Sequence, residues 1–316
     1  MKEPFRIEPL ADHDVRYIYP PVGFQPWPIG GLGNGDEYGY YWPVGRESTD
    51  PLVAMTSQDC WALIPVASSL ESLARLGDCE EVNWLVHGEP DGTADESDDE
   101  KVTLSWAERL AIDPDSPHLL VANADAAMAK NELDKSESQY LRAIHLLPEY
   151  TAAHFGLAML YRRLRKPELA IRSMLETIRS PLCFQGASFW SETSLPLNRN
   201  DYRRKCLMWL QQAKVDDVPS SATDPLFAVR DQLTFATGVK TIDDFALYDQ
   251  VIEQYTAAGR VLDAIRLLML VGELMMCETV SFRERSAFTF AAFRGRLLSL
   301  FRLGAIERAA FLESAP

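Results

Sequence analysis

Apolar and polar positions follow two different rhythms along this chain. In residues 51–55 and 60–64 the apolar runs are short and flank a polar turn at 56–59, which predicts two short strands. Upstream, Gly33, Asn34, Gly35 and Asp36 form a turn that feeds the aromatic run Tyr38, Tyr40, Tyr41 and Trp42. On a strand, Tyr38, Tyr40 and Trp42 share one face and Tyr41 takes the other. From Ala67 the spacing lengthens. Ser68 and Ser69 offer a helix cap, and Leu70, Leu73 and Leu76 recur at helical spacing. The fold class expected is a small α+β N-terminal domain followed by an all-α helical array.

The helical part carries its own period. Pro114 and Pro148 each close a helical pattern and stand 34 residues apart. That spacing resembles the tetratricopeptide repeat, whose helix pairs bury their apolar faces on neighbouring pairs. Ala124, Ala127, Tyr140 and Ala143 fit one unit, and Leu157, Ala158, Tyr161, Ala170 and Met174 fit the next. The pattern weakens over residues 181–235, where Pro, Ser and Asn accumulate. It returns at Ile252, Tyr255, Gly259, Ala264 and Leu268, and faintly at Phe301, Gly304 and Ala309. The resemblance implies a groove lined by His118, Val121, Asp125 and Met128 from one unit and by Phe155, Met159, Arg162 and Arg163 from the next. An unrelated helical bundle is the other reading. Val121 and Asp125 stand where carboxylate-clamping repeats place Lys and Asn, which argues against docking of a chaperone tail.

The Gly-Asn-Gly-Asp turn, the aromatic strand, the strand pair and the run from Ala67 to Leu73 together resemble the core of the SUKH superfamily, over roughly residues 15–86. The resemblance implies a compact α+β domain without catalysis, found in many bacterial immunity proteins that bind and neutralise a toxin. This chain departs from the family at its start, where Pro20, Pro21, Pro26 and Pro28 replace the opening helices.

Charge separates the two parts. Residues 1–101 hold 20 acidic and 6 basic side chains, a net of −14, whereas the remainder holds 26 and 25, a net of −1. The run 89–100 contains seven of those acids and reads as a solvated linker. The boundaries expected are therefore 1–88 for the α+β domain, 89–101 for the linker and 102–316 for the helices. Such acidity opposes nucleic-acid binding and favours a basic protein partner. No membrane contact is expected, because no run approaches the roughly 18–20 apolar residues needed to span one. The best candidate, Ala264 to Met276, is interrupted by Arg266 and Glu273. Acidity also serves solubility alone. Five scattered cysteines and an N-terminus without an apolar core suggest a reduced, cytoplasmic protein.

The chemical motifs fail on their own requirements. Gly31, Gly33 and Gly35 lack the following helix that a dinucleotide loop needs. The acidic residues from Asp91 to Asp99 alternate as in a calcium loop, but Glu96 replaces the turn glycine and Val102 the closing glutamate. Neither a catalytic residue, nor a cofactor, nor a metal site is expected. The function expected is a non-catalytic immunity protein that occludes a basic cognate toxin; the alternative is a repeat-based scaffold or an adaptor for an effector. The partner-binding residues expected are Asp36, Glu37, Tyr40, Trp42 and Asp59 on the sheet, with Asp125, Phe155, Met159 and Arg162 in the groove. The basic cluster from Arg162 to Lys166 reads either as a solvated helix end or as a contact for a partner's acids.

Overall fold

A computed structural model describes residues 21–31, 37–57, 62–77, 104–185, 202–215, 218, 220–233, 242–276 and 290–310. A small antiparallel sheet comes first and a mostly helical region follows. Strands β1 (Phe24–Gly31), β2 (Glu37–Tyr41), β3 (Leu52–Ser57) and β4 (Ala62–Ala67) pair in chain order. The register sets Tyr38 opposite Met55 and Tyr40 opposite Val53. Helix α1 (Leu70–Gly77) follows, and Ser69 Oγ accepts the Ser72 N–H in its first turn.

Both faces of the sheet are covered. Tyr41, Leu52, Ala54 and Leu63 point into the main helical core. Tyr38, Val53, Met55, Ile64 and Val66 point the other way, onto Leu73 and Leu76 of α1 and onto Leu119. The β4 sequence ALIPVA is apolar in both phases and buried throughout, as a two-sided strand requires.

The helices come in pairs. α2 (Trp106–Ile112) starts on a Ser105–Glu108 capping box, and α3 (Pro117–Ala129) starts on the Ser116 cap with Pro117 at its first position. α4 (Leu133–Leu146), α5 (Thr151–Arg163) and α6 (Pro167–Arg179) follow, then α7 (Tyr202–Gln212), α8 (Pro225–Ala228), α9 (Ile242–Ala257), α10 (Val261–Met276) and α11 (Phe290–Leu303). α3 and α5 begin 34 residues apart, as do α4 and α6. One turn closes α3, α5, α9 and α11 alike. A residue at positive φ (Asn131, Arg165, Gly259 or Ala305) is followed by an N–H that reaches back five residues, as from Glu132 to the Ala127 carbonyl. Within the first pair of hairpins, the Tyr140 ring presses on Gly156, where a Cβ would come within 2.3 Å of it.

Buried charge joins sheet to helices. Glu149, fully buried, accepts the Tyr41 hydroxyl at 2.6 Å and the Val44 N–H at 2.9 Å. Asp113 accepts the Ser68 N–H at 2.7 Å and its hydroxyl at 2.5 Å. Arg308, also fully buried, donates to the carbonyls of Val22 and Trp42 and pairs with Glu47 at 2.5 Å. Gly23 lies beneath that guanidinium at φ +109°, and a Cβ there would come within 2.5 Å of it.

Candidate functional site

The sheet offers little of the surface expected of it. Asp36 and Asp59 lie outside the described residues. Glu37 is exposed, and its backbone N–H donates to Thr56 Oγ1 at 2.8 Å. Tyr40 is half-buried, edge-on to Trp27 at 5.4 Å and to Trp42 at 6.1 Å. Trp42 is only 1% exposed and is an anchor of the core, not of a partner. The reason is Arg308, which fastens the end of β2 to the helices. Of the 20 acids in residues 1–101, only Glu37, Glu47, Asp50 and Glu71 fall among the described residues, and Glu47 is neutralised by Arg308.

The groove residues do come together. Phe155, Met159 and Arg162 stand at i, i+4 and i+7 on α5 and form one partly open stripe. The next helix along this face is α7. Phe155 stacks on Tyr202 with ring centroids 4.0 Å apart and an interplanar angle of 1°. Arg162 lies over the Trp209 ring at 3.8 Å. Seven residues separate Phe155 from Arg162, and seven separate Tyr202 from Trp209, so α5 and α7 run side by side in the same direction. Lys205 projects over Phe155 at 5.8 Å, and Met208, at the i+3 position from Lys205, is 51% exposed. α3 flanks α5 on its other side, where Arg163 donates to the Met128 carbonyl and to Asn131 Oδ1, both at 2.8 Å. Asp125 on α3 is solvent-accessible and accepts the Tyr140 hydroxyl. Crowding by the surrounding helices pushes its carboxyl up to about 6, against the lowering effect of that hydrogen bond. Val121 is buried and His118 packs edge-on against Trp106, so neither extends the stripe.

The remaining titratable clusters are spent on structure. Arg179, 2% exposed at its side chain, binds Glu176 at 2.7 Å, Asp224 at 3.2 Å and the Tyr255 hydroxyl at 2.9 Å. Burial alone would raise the Glu176 carboxyl, but Arg179, His154 and Arg266 outweigh it and hold the group near 2. Glu273 accepts the N–H groups of Leu182 and Cys183, and burial pushes its carboxyl up to about 7. Burial, with Glu273 beside it, also raises the Cys183 thiol well above its ordinary range, which is the opposite of an activated nucleophile. Among the described residues, no group of three His, Cys, Asp or Glu side chains could hold a metal ion.

A cleft of about 700 Å³ opens between the sheet and the last helices. Gly45, Glu47 and Ser48 form one wall, the start of α10 from Gly259 to Arg266 a second, and the end of α11 from Leu303 to Glu307 the third. Its charges are largely committed. Arg260 binds Asp224 at 2.9 Å and Asp263 at 2.7 Å, and Glu47 is held by Arg308.

Comparison with known proteins corrects the family expected from the sequence. The sequence model of the YfbP N-terminal domain matches residues 11–84, and that of the YfbP C-terminal domain matches residues 235–310. Every residue lining the cleft falls within one or other of these segments. The chain is also 28% identical over 298 residues to "Uncharacterized protein YfbP" of Escherichia coli (strain K12), covering 93% of this chain and 92% of that protein. No solved structure matches. Neither a SUKH nor a tetratricopeptide family is identified, which overturns both resemblances. The reason is physical. A Gly-Asn turn into aromatics is the common grammar of antiparallel hairpins, and small residues at helical crossings are the common grammar of paired helices. The chain is similar to YfbP in both of its terminal segments and along most of its length.

Proposed function

We propose that this protein is a non-catalytic binding protein, an adaptor or scaffold that presents the α3–α5–α7 face to a segment of a protein partner. The observation that carries this reading is the ladder of Phe155 on Tyr202 and Arg162 on Trp209, bordered by the exposed Met208. Aromatic, Met and Arg side chains dominate the energetics of protein interfaces. Here they are set by packing before a partner arrives, so less side-chain entropy is lost on binding. Of the two functions the sequence suggests, occlusion of a toxin drew on the SUKH resemblance, and the α5–α7 ladder supports the adaptor instead. In the full chain, a photo-crosslinking amino acid at Met208 should give a defined protein adduct in cells that disappears on Trp209→Ala. The same probe at the exposed Leu141 on α4 should give none. Equal adducts at both positions, or adducts indifferent to Trp209, would overturn the reading.

A further inference from the structure

We infer that the segment docking on this face is acidic: a short stretch of partner protein in which Asp or Glu side chains flank apolar ones. The inference rests on the reading of the face as a docking surface and adds the chemistry of the occupant. Arg162, Arg163 and Lys205 all border the stripe. Among the described residues none of the three is paired with a carboxylate, since their partners are the Trp209 ring, the Met128 carbonyl with Asn131 Oδ1, and the Phe155 ring. A guanidinium lying over an indole, as Arg162 lies 3.8 Å from the Trp209 ring centre, leaves N–H donors free for the fork that a carboxylate accepts. The stack also fixes the Arg162 rotamer in advance. Met159 and Met208 supply adaptable apolar contacts between the cations.

The rest of the molecule sharpens the argument. Nearly all of the net charge of −15 belongs to residues 1–101, and the remainder holds 26 acidic and 25 basic side chains. Three cations without carboxylate partners therefore stand out as a local positive patch on a near-neutral helical region. Arg179, Arg260 and Arg296, by contrast, are each consumed by carboxylates. Asp125 is the acid that shares the face, and it is engaged by the Tyr140 hydroxyl.

The test is selection of a random dodecapeptide display library on the full chain. Enriched peptides should carry Asp or Glu beside Leu, Phe or Met. Their affinity should fall about tenfold in the Arg162→Gln, Arg163→Gln, Lys205→Gln variant, and should weaken with added salt. Arg75→Gln on α1 should leave it unchanged. Gln removes the positive charge but keeps a polar, hydrogen-bonding side chain, and circular dichroism checks that the variant stays folded. Peptides that are basic or uncharged, yet lost on Trp209→Ala, would overturn the acidic occupant and leave the docking face standing. Peptides indifferent to both Trp209 and Phe155 would overturn the face itself. Acidic peptides that enrich only after residues 89–100 are replaced by Gly and Ser would assign the face to the chain's own acidic run, and the external acidic partner would fall.

Discussion

Arg308 and Arg162 are one residue type put to opposite uses. Arg308 is fully buried, with Glu47 as its counter-ion and the carbonyls of Val22 and Trp42 as acceptors. Arg162 is exposed, lies on an indole, and has no carboxylate partner among the described residues. Desolvating a guanidinium costs several kcal/mol, so a buried one persists only where its donors are met, and removing it strands the partners it served. An exposed one costs little to keep and little to lose. A protein therefore holds itself together with the first kind and can offer the second kind to others.

That contrast can be broken most directly at its buried end. Arg308→Ala should destabilise the fold by about 3–5 kcal/mol, because it leaves Glu47 buried and uncompensated. Thermal melting followed by tryptophan fluorescence would measure this, since Trp42 sits at the clamp. A loss under about 1 kcal/mol would place Arg308 with the ordinary surface cations.

A second prediction concerns the buried Glu273. Its carboxyl is raised in the fold to about 7, mainly by burial. An acid raised on folding takes up a proton as the chain folds. Its contribution is therefore complete below the unfolded value near 4.5 and declines as pH rises through 7. Stability should fall across that window with a slope of up to about 1.4 kcal/mol per pH unit, and Glu273→Gln should flatten the slope. An unchanged profile in the Gln variant would assign the slope to another group, Asp125 among them.

The smallest effect is expected at the exposed end. Arg162→Ala should cost about 1 kcal/mol or less of stability, the value of a surface cation on a ring. Chemical denaturation checks this. A cost comparable to that of Arg308→Ala would mean that the α5–α7 ladder holds the fold together instead of serving a partner.

Much of this was legible along the chain. The two strands expected at residues 51–55 and 60–64 became β3 and β4, shifted by one to three residues. Pro114 and Pro148 do follow helices, which end at Ile112 and Leu146. The i, i+4, i+7 stripe of Phe155, Met159 and Arg162 was readable because periodicity is local. Its other half was missed, since Pro, Ser and Asn around residues 181–235 looked like a break in the pattern. The signal available there was Tyr202 and Trp209 at the same seven-residue spacing as Phe155 and Arg162. The two-sided burial of the sheet is also written in β4, whose run ALIPVA lacks the alternation of a strand with one wet face. No local signal could have paired Glu47 with Arg308 or Arg179 with Asp224. Long-range ion pairs are chosen by the packing of the whole chain, and the residue types involved occur everywhere.

The clamp at Arg308 also sets an order in time. The Val22 carbonyl it holds lies 286 residues earlier in the sequence. At about 5–20 residues per second, a ribosome needs roughly 15–60 s to make that stretch. For most of that interval β1 and the end of β2 exist without their clamp, and the helices that cover one sheet face are still being made. β1, the first element among the described residues, is thus among the last to be secured. A message truncated before Arg308 would release a chain that keeps the Glu149 and Asp113 ties to the sheet but lacks the clamp at Val22 and Trp42.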